Sequence, residues 1–80
     1  MSRRKKRQAD AEVFGAVVRE HREARGWTQE QLAERAEMNA SYLGFVERGD
    51  NVPTLTIIIQ IASGLGVEPA ELLREVMKRR

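Results

Sequence analysis

The chain has 80 residues, too few for a second domain and enough for one small core that a partner subunit would help to stabilise. It has no cysteine and one histidine, and its longest apolar run, Ile57-Ile58-Ile59-Gln60-Ile61-Ala62, is too short to span a bilayer; disulfides and thiolate sites are excluded, and a small cytoplasmic protein with no metal, cofactor or membrane is expected. The formal net charge of +2 hides a skew, because Arg3, Arg4, Lys5, Lys6 and Arg7 crowd one end and Lys78, Arg79 and Arg80 the other, while residues 8–77 hold six basic and twelve acidic side chains, a net of −6. Basic tails are the usual electrostatic handle for nucleic acid or an anionic surface, whereas an acidic body is not.

Residues 1–9 are polar and basic with no apolar period, and a disordered arm is expected there, ahead of one domain over 10–78. Asp10 offers a cap, and Phe14, Val17, Val18 and His21 then follow at i, i+3, i+4 and i+7, one face of a helix that Gly26 stops. Thr28-Gln29-Glu30-Gln31 fits a capping box opening a second helix, whose inner face is Leu32, Ala33 and Ala36. Asn39 caps a third helix, with Met38 placed to staple onto Leu43, Val46 facing inward and Gly49 at the end. After the turn at Asp50-Asn51-Val52-Pro53, Thr54 caps a fourth helix with Leu55, Ile58, Ile61, Ala62 and Leu65 on its inner face, ended by Gly66. Pro69 suits the first position of a fifth helix carrying Leu72, Leu73 and Val76. No run alternates with period two, so an all-α bundle of five short helices is expected.

Gln29 to Arg48 reads as a short helix, a tight turn and a second helix, with the small Ala33 where two helices must cross closely. The runs Arg22-Glu23-Ala24-Arg25-Gly26-Trp27-Thr28-Gln29-Glu30-Gln31-Leu32-Ala33 and Ser41-Tyr42-Leu43-Gly44-Phe45-Val46-Glu47-Arg48-Gly49, followed by Pro53-Thr54-Leu55, resemble the helix-turn-helix domain of phage repressor and Cro-type regulators, the XRE family. The resemblance spans Phe14 to Leu73. It implies a five-helix lambda-repressor-like fold and sequence-specific binding of double-stranded DNA, usually as a homodimer on an inverted repeat. At the turn between helices two and three the family usually has glycine; here the residue is Glu37, which either takes a left-handed conformation at a cost of about 1 kcal/mol or reshapes the turn.

By the resemblance, the base-facing positions on the third helix are Asn39, Ala40, Ser41, Gly44 and Phe45. No arginine for guanine and no glutamine for adenine stands among them, so specificity is expected to lean on thymine methyls and DNA shape. Phosphate contacts are expected from Gln29 at a helix N-terminus, from Tyr42, and from Arg48 and Asn51 after the recognition helix, with Arg3, Arg4, Lys5, Lys6 and Arg7 lying along the duplex. Arg22 and Glu47 resemble a family pair that forms a structural salt bridge. His21 reads as a packing histidine, Trp27 as a lid on the core and Phe45 as an exposed ring. Ile57 and Ile59 lie off the inner face of the fourth helix and, with Leu73, Val76 and Met77, are expected to form the dimer interface. No nucleophile–base–orienter set exists, so no enzyme is expected. The competing reading is a protein-interaction module, such as an antitoxin or coactivator-like adaptor, that reuses the same fold with the isoleucines as its docking surface.

Overall fold

The computed structural model describes the backbone of residues 3–80 and the side chains of residues 7–80. Among the described residues five helices follow one another: α1 Arg3–Ala24, α2 Gln29–Arg35, α3 Ala40–Arg48, α4 Leu55–Leu65 and α5 Pro69–Lys78. No strand occurs among the described residues. α1 crosses α3 and α5, α2 packs between α3 and α4, and α4 rests on α5.

The inward residues are those of the helical periods. Phe14, Val17 and Val18 from α1 meet Leu32 and Ala33 of α2, Leu43 and Val46 of α3, Ile61, Ala62 and Leu65 of α4, and Leu72 and Val76 of α5. Trp27 and Met38 are partly buried and pack against this core from the loops. The stops at Gly26, Gly49 and Gly66 all carry positive φ, and Pro69 sits in the first turn of α5. Gly15 serves a close helix crossing instead. A Cβ there would overlap the carbonyl oxygens of Val46 and Glu47, so the lack of a side chain lets α1 touch the backbone of α3.

Several expectations are corrected. α1 begins at Arg3 rather than at Asp10, so residues 3–9 continue the helix instead of forming a disordered arm. Arg, Lys, Gln and Ala are strong helix formers, and no glycine or proline interrupts them, so helix propagates outward from the packed turns without needing an apolar period. Asp10 is therefore no cap; its carboxylate accepts from Arg80 Nε at 3.1 Å and Nη2 at 3.0 Å. Leu55 is 71% exposed, because the first turn of α4 projects past the core that covers Ile58 and Ile61. Lys78, Arg79 and Arg80 do not form a free tail: Arg79 grips Glu20 through two bonds of 2.9 and 2.6 Å, and with the Arg80 pair this ties the end of α5 to α1. The expected arm side chains Arg3, Arg4, Lys5 and Lys6, like Met1 and Ser2, lie outside the described residues.

Candidate nucleic-acid interface

Local hydrogen bonds shape the α2–α3 unit. Thr28 Oγ1 accepts from the Gln31 amide at 3.1 Å and the Thr28 amide donates to Gln31 Oε1 at 2.8 Å, which closes the capping box. Asn39 Oδ1 accepts from the Ser41 and Tyr42 amides at 2.8 and 3.2 Å and so starts α3. Between them Glu37 sits at φ 56, in the left-handed region. The turn is thus kept in its glycine-type geometry rather than reshaped.

A buried ion pair fixes α3 to α1. The Glu47 side chain is 2% exposed and that of Arg22 12%. Arg22 Nε donates to Glu47 Oε2 at 2.7 Å and Nη2 to Oε1 at 3.0 Å, while Nη1 donates to the Trp27 carbonyl at 2.7 Å. Gln29 Nε2 donates to Glu47 Oε1 at 3.0 Å, so one carboxylate gathers three donors from two other segments. The hydrogen bond to Glu47 raises the Arg22 pKa, against a smaller opposing effect of burial. Both charged groups are hydrogen-bonded, which makes their burial tolerable. Glu47 is thereby removed from the surface. Trp27 closes this corner, with the Arg35 guanidinium 4.1 Å above its ring and Arg25 at 5.8 Å.

The outward face of α3 carries a mixed set. Asn39 and Ser41 are exposed, and Phe45 is 43% exposed. Ala40 and Tyr42 are partly buried and pack against the core. Gly44 is covered: Arg48 Nη1 and Gln29 Oε1 lie 3.3 and 3.5 Å from where its Cβ would be. The Arg48 guanidinium lies 5.0 Å from the Phe45 ring centroid, and its Nε donates to Asp50 Oδ2 at 3.0 Å. Arg48 therefore lies back along the helix instead of pointing away from its end. Asn51 is exposed beyond it. Arg48, Gln29, Glu47 and Arg22 line one polar pocket with Arg19, a residue that no motif in the chain marks for this place. Its position follows from the α1–α3 crossing at Gly15, one turn away.

On the far side the apolar residues separate. Ile59, Leu73 and Met77 are exposed, and Ile57 is half-buried against the core. Val76, expected with them, is 7% exposed and belongs to the core. Leu72 and Val76 are one turn apart and face the core, which leaves Leu73 and Met77, each one position on, turned outward. Leu55 and Val52 add exposed apolar surface that the helical period assigns inward or to a turn. A groove of about 470 Å³ runs between Phe14, Val52, Ile58, Leu73 and Met77.

His21, Glu71 and Glu75 are the group of metal-capable side chains among the described residues, with ligand atoms within 4.8 Å of one another. His21 Nε2 is already bonded to Glu75 at 2.6 Å, and the Arg25 guanidinium is 3.5 Å from Nδ1. A cation on one nitrogen and a bond to carboxylate on the other make this an interhelical tie between α1 and α5. Nearby, the hydrogen bond from Arg79 holds the Glu20 carboxyl below its ordinary range, and Glu20 raises Arg79 in turn.

Residues 13–76 match the family model described as a helix-turn-helix domain. The uncharacterized HTH-type transcriptional regulator YazB of Bacillus subtilis (strain 168) is 36% identical over 63 residues, covering 79% of this chain and 91% of that protein. Control protein C.SmaI of Serratia marcescens is 36% identical over 62 residues, covering 78% of this chain and 74% of that protein. The crystal structure of the restriction-modification controller protein C.AhdI from Aeromonas hydrophila superposes with a TM-score of 0.77 at 44% identity, covering 80% of this chain and 97% of that one.

Proposed function

The chain belongs to the XRE-type helix-turn-helix family of DNA-binding transcriptional regulators, and on that premise we propose that it binds an inverted-repeat operator as a homodimer, α3 entering the major groove of each half-site. The observation that carries this reading is the Glu47 lock. It sets α3 at a defined angle on α1 and α2 while Asn39, Ser41 and Phe45 stay exposed, with Arg48 alongside the Phe45 ring. Ser41 donates or accepts at a base edge, and the Phe45 ring meets thymine methyls. Ala40 contributes closeness of backbone rather than a contact of its own, and Gly44 leaves room for Arg48 and Gln29 beside it. Tyr42, Arg48 and Asn51 take phosphates, and Gln29 does so through the end of α2 while its amide stays on Glu47. The basic residues Arg3, Arg4, Lys5, Lys6 and Arg7 supply the long-range field.

The exposed side chains of Leu55, Ile59, Leu73 and Met77 supply the surface on which two copies meet, while Ile57 is half-buried on the other flank of α4. The protein acts in the cytoplasm and catalyses nothing. Among the described residues no single helix is long and apolar enough to cross a membrane.

Selection of bound DNA from a random pool tests the reading. An inverted repeat with half-site centres about one helical turn apart, ~34 Å, is expected, with thymine-rich contacts. No enrichment overturns the DNA reading, and a guanine-dominated half-site overturns the thymine reading. The adaptor reading is favoured by the exposed apolar face. It requires instead that affinity for selected and random duplexes fall together as salt rises.

A further inference from the structure

The turn that joins α2 to α3 is closed by two backbone bonds. The Glu37 amide donates to the Glu34 carbonyl at 3.2 Å and the Met38 amide to the Ala33 carbonyl at 2.9 Å. This double closure requires a left-handed residue at Glu37, the place that glycine fills without steric cost. Glu37, at φ 56, is the one non-glycine with positive φ among the described residues. An L-residue held there has right-handed and extended conformations below it in energy, and either would swing the chain that leads into Asn39 and α3.

Two contacts from α4 oppose that swing. Gln60 Nε2 donates to the carbonyls of both Ala36 and Glu37, at 3.2 and 3.3 Å. These carbonyls lie past the last turn of α2 and have no helical partner of their own. One turn further along α4, a Cβ on Gly64 would come within 2.9 Å of the Ala36 Cβ and amide nitrogen, so the end of α2 sits directly on α4. The Gly64 contact fixes where the turn is, and the Gln60 bonds fix which way its peptide planes face.

We infer that Gln60 is a positioning residue for DNA reading: it holds the left-handed Glu37 turn and through it the angle at which α3 meets the groove. Its consequence for operator choice rests on the DNA reading above. The chemistry needs a neutral or cationic donor of this reach. Methionine has the same length without a donor, and lysine reaches the carbonyls with its ammonium.

The test compares wild type, Gln60→Met, Gln60→Lys, Glu37→Gly and the Gln60→Met/Glu37→Gly double variant. Each is titrated with the operator recovered by selection and with a random duplex of equal length, and melted. Exchange of the Met38 amide is followed without DNA. Gln60→Met is expected to lose about tenfold in operator affinity, the equivalent of two modest hydrogen bonds, and less than about twofold on the random duplex, where phosphate contacts dominate. Gln60→Lys retains the affinity, and Glu37→Gly returns most of it to Gln60→Met, because glycine holds the turn unaided. Met38 exchange accelerates about tenfold in Gln60→Met. Unchanged operator affinity in Gln60→Met, or equal loss on both duplexes, overturns the inference. A wild type that fails to discriminate the two duplexes removes the DNA reading instead, and an unaltered Met38 exchange rate then overturns the clamp by itself.

Discussion

Glu47 and Glu37 are both glutamates at places where a simpler residue would cost less, and the structure treats them in opposite ways. Glu47 is buried and satisfied by Arg22 and Gln29. Arg22→Ala leaves its carboxylate in a closed corner with the Gln29 amide as its remaining side-chain donor. A loss of about 3–5 kcal/mol in urea unfolding is expected, since most of the cost is the stranded charge. A loss below about 1 kcal/mol, the range of exposed pairs, would show that water reaches Glu47. Glu37 is solvent-exposed and strained at φ 56. Glu37→Gly relieves the left-handed conformation, though glycine also gains freedom in the unfolded chain. A net stabilisation of about 0.5–1 kcal/mol is expected, read as a melting temperature higher by about 2–8 °C for a domain of this size.

At the scale of elements, the long α1 is the spine, and it is held differently along its length. Its middle meets α3 through Gly15, where any side chain overlaps the carbonyls of Val46 and Glu47. Gly15→Ala must push α3 away and disturb the ion pair beside it. A destabilisation of about 1–3 kcal/mol is expected despite alanine's better helix propensity, and calorimetry on the variant checks it. Its flank meets α5 through His21–Glu75, and the chain end beyond α5 through Glu20–Arg79 and Asp10–Arg80. Glu20 has a folded-state pKa below its unfolded one, first because of the Arg79 hydrogen bond. Its contribution is complete above the ordinary carboxylate value of about 4.3 and is lost as the pH falls through the lower folded value. Melting temperatures measured from about pH 6 to 2 are therefore expected to fall more steeply in wild type than in Glu20→Gln. The difference should shrink in ~1 M salt, because the pair is exposed.

For the whole molecule, the charge skew resolves by position. Asp10, Glu20, Glu23, Glu47, Asp50 and Glu75 are all engaged by Arg or His, half of the twelve acids. Of these, Asp50 lies beside the proposed groove and holds Arg48. Phosphate must compete with it. Asp50→Asn is expected to tighten DNA binding several-fold and to steepen the log-affinity against log-salt slope by up to about 0.9, one more phosphate neutralised. Deleting residues 2–7 should act in the opposite sense, flattening the slope by about 3.6 per arm for roughly four phosphates. An unchanged slope in the deletion would remove the basic segment from the interface.

The helices, their caps and the family are legible in the chain because they rest on local chemistry. Thr28 with Gln31, Asn39 with Ser41 and Tyr42, and the apolar periods of α1 to α5 each act within a turn or two of helix. Apolar period fails as a guide to residues 3–9, because a helix needs no apolar face when its residues favour helix on their own. Exposure at element ends is hidden too: periodicity puts Leu55 inward, and the dimer expectation puts Val76 on a patch with Met77, but only the neighbours of those turns decide which residue is covered. The same division runs through the site. Local chemistry is enough to start a third helix at Asn39, and the family resemblance is enough to pair Arg22 with Glu47. Arg48 lies over Gly44 and Phe45 and is held by Asp50 within four residues of itself, which is local chemistry again, whereas packing alone brings Gln60 to a turn twenty-three residues away. Contacts of that last kind join segments that no local spacing relates. They exist because burying the core brings α4 beneath α2, and α1 beneath α3.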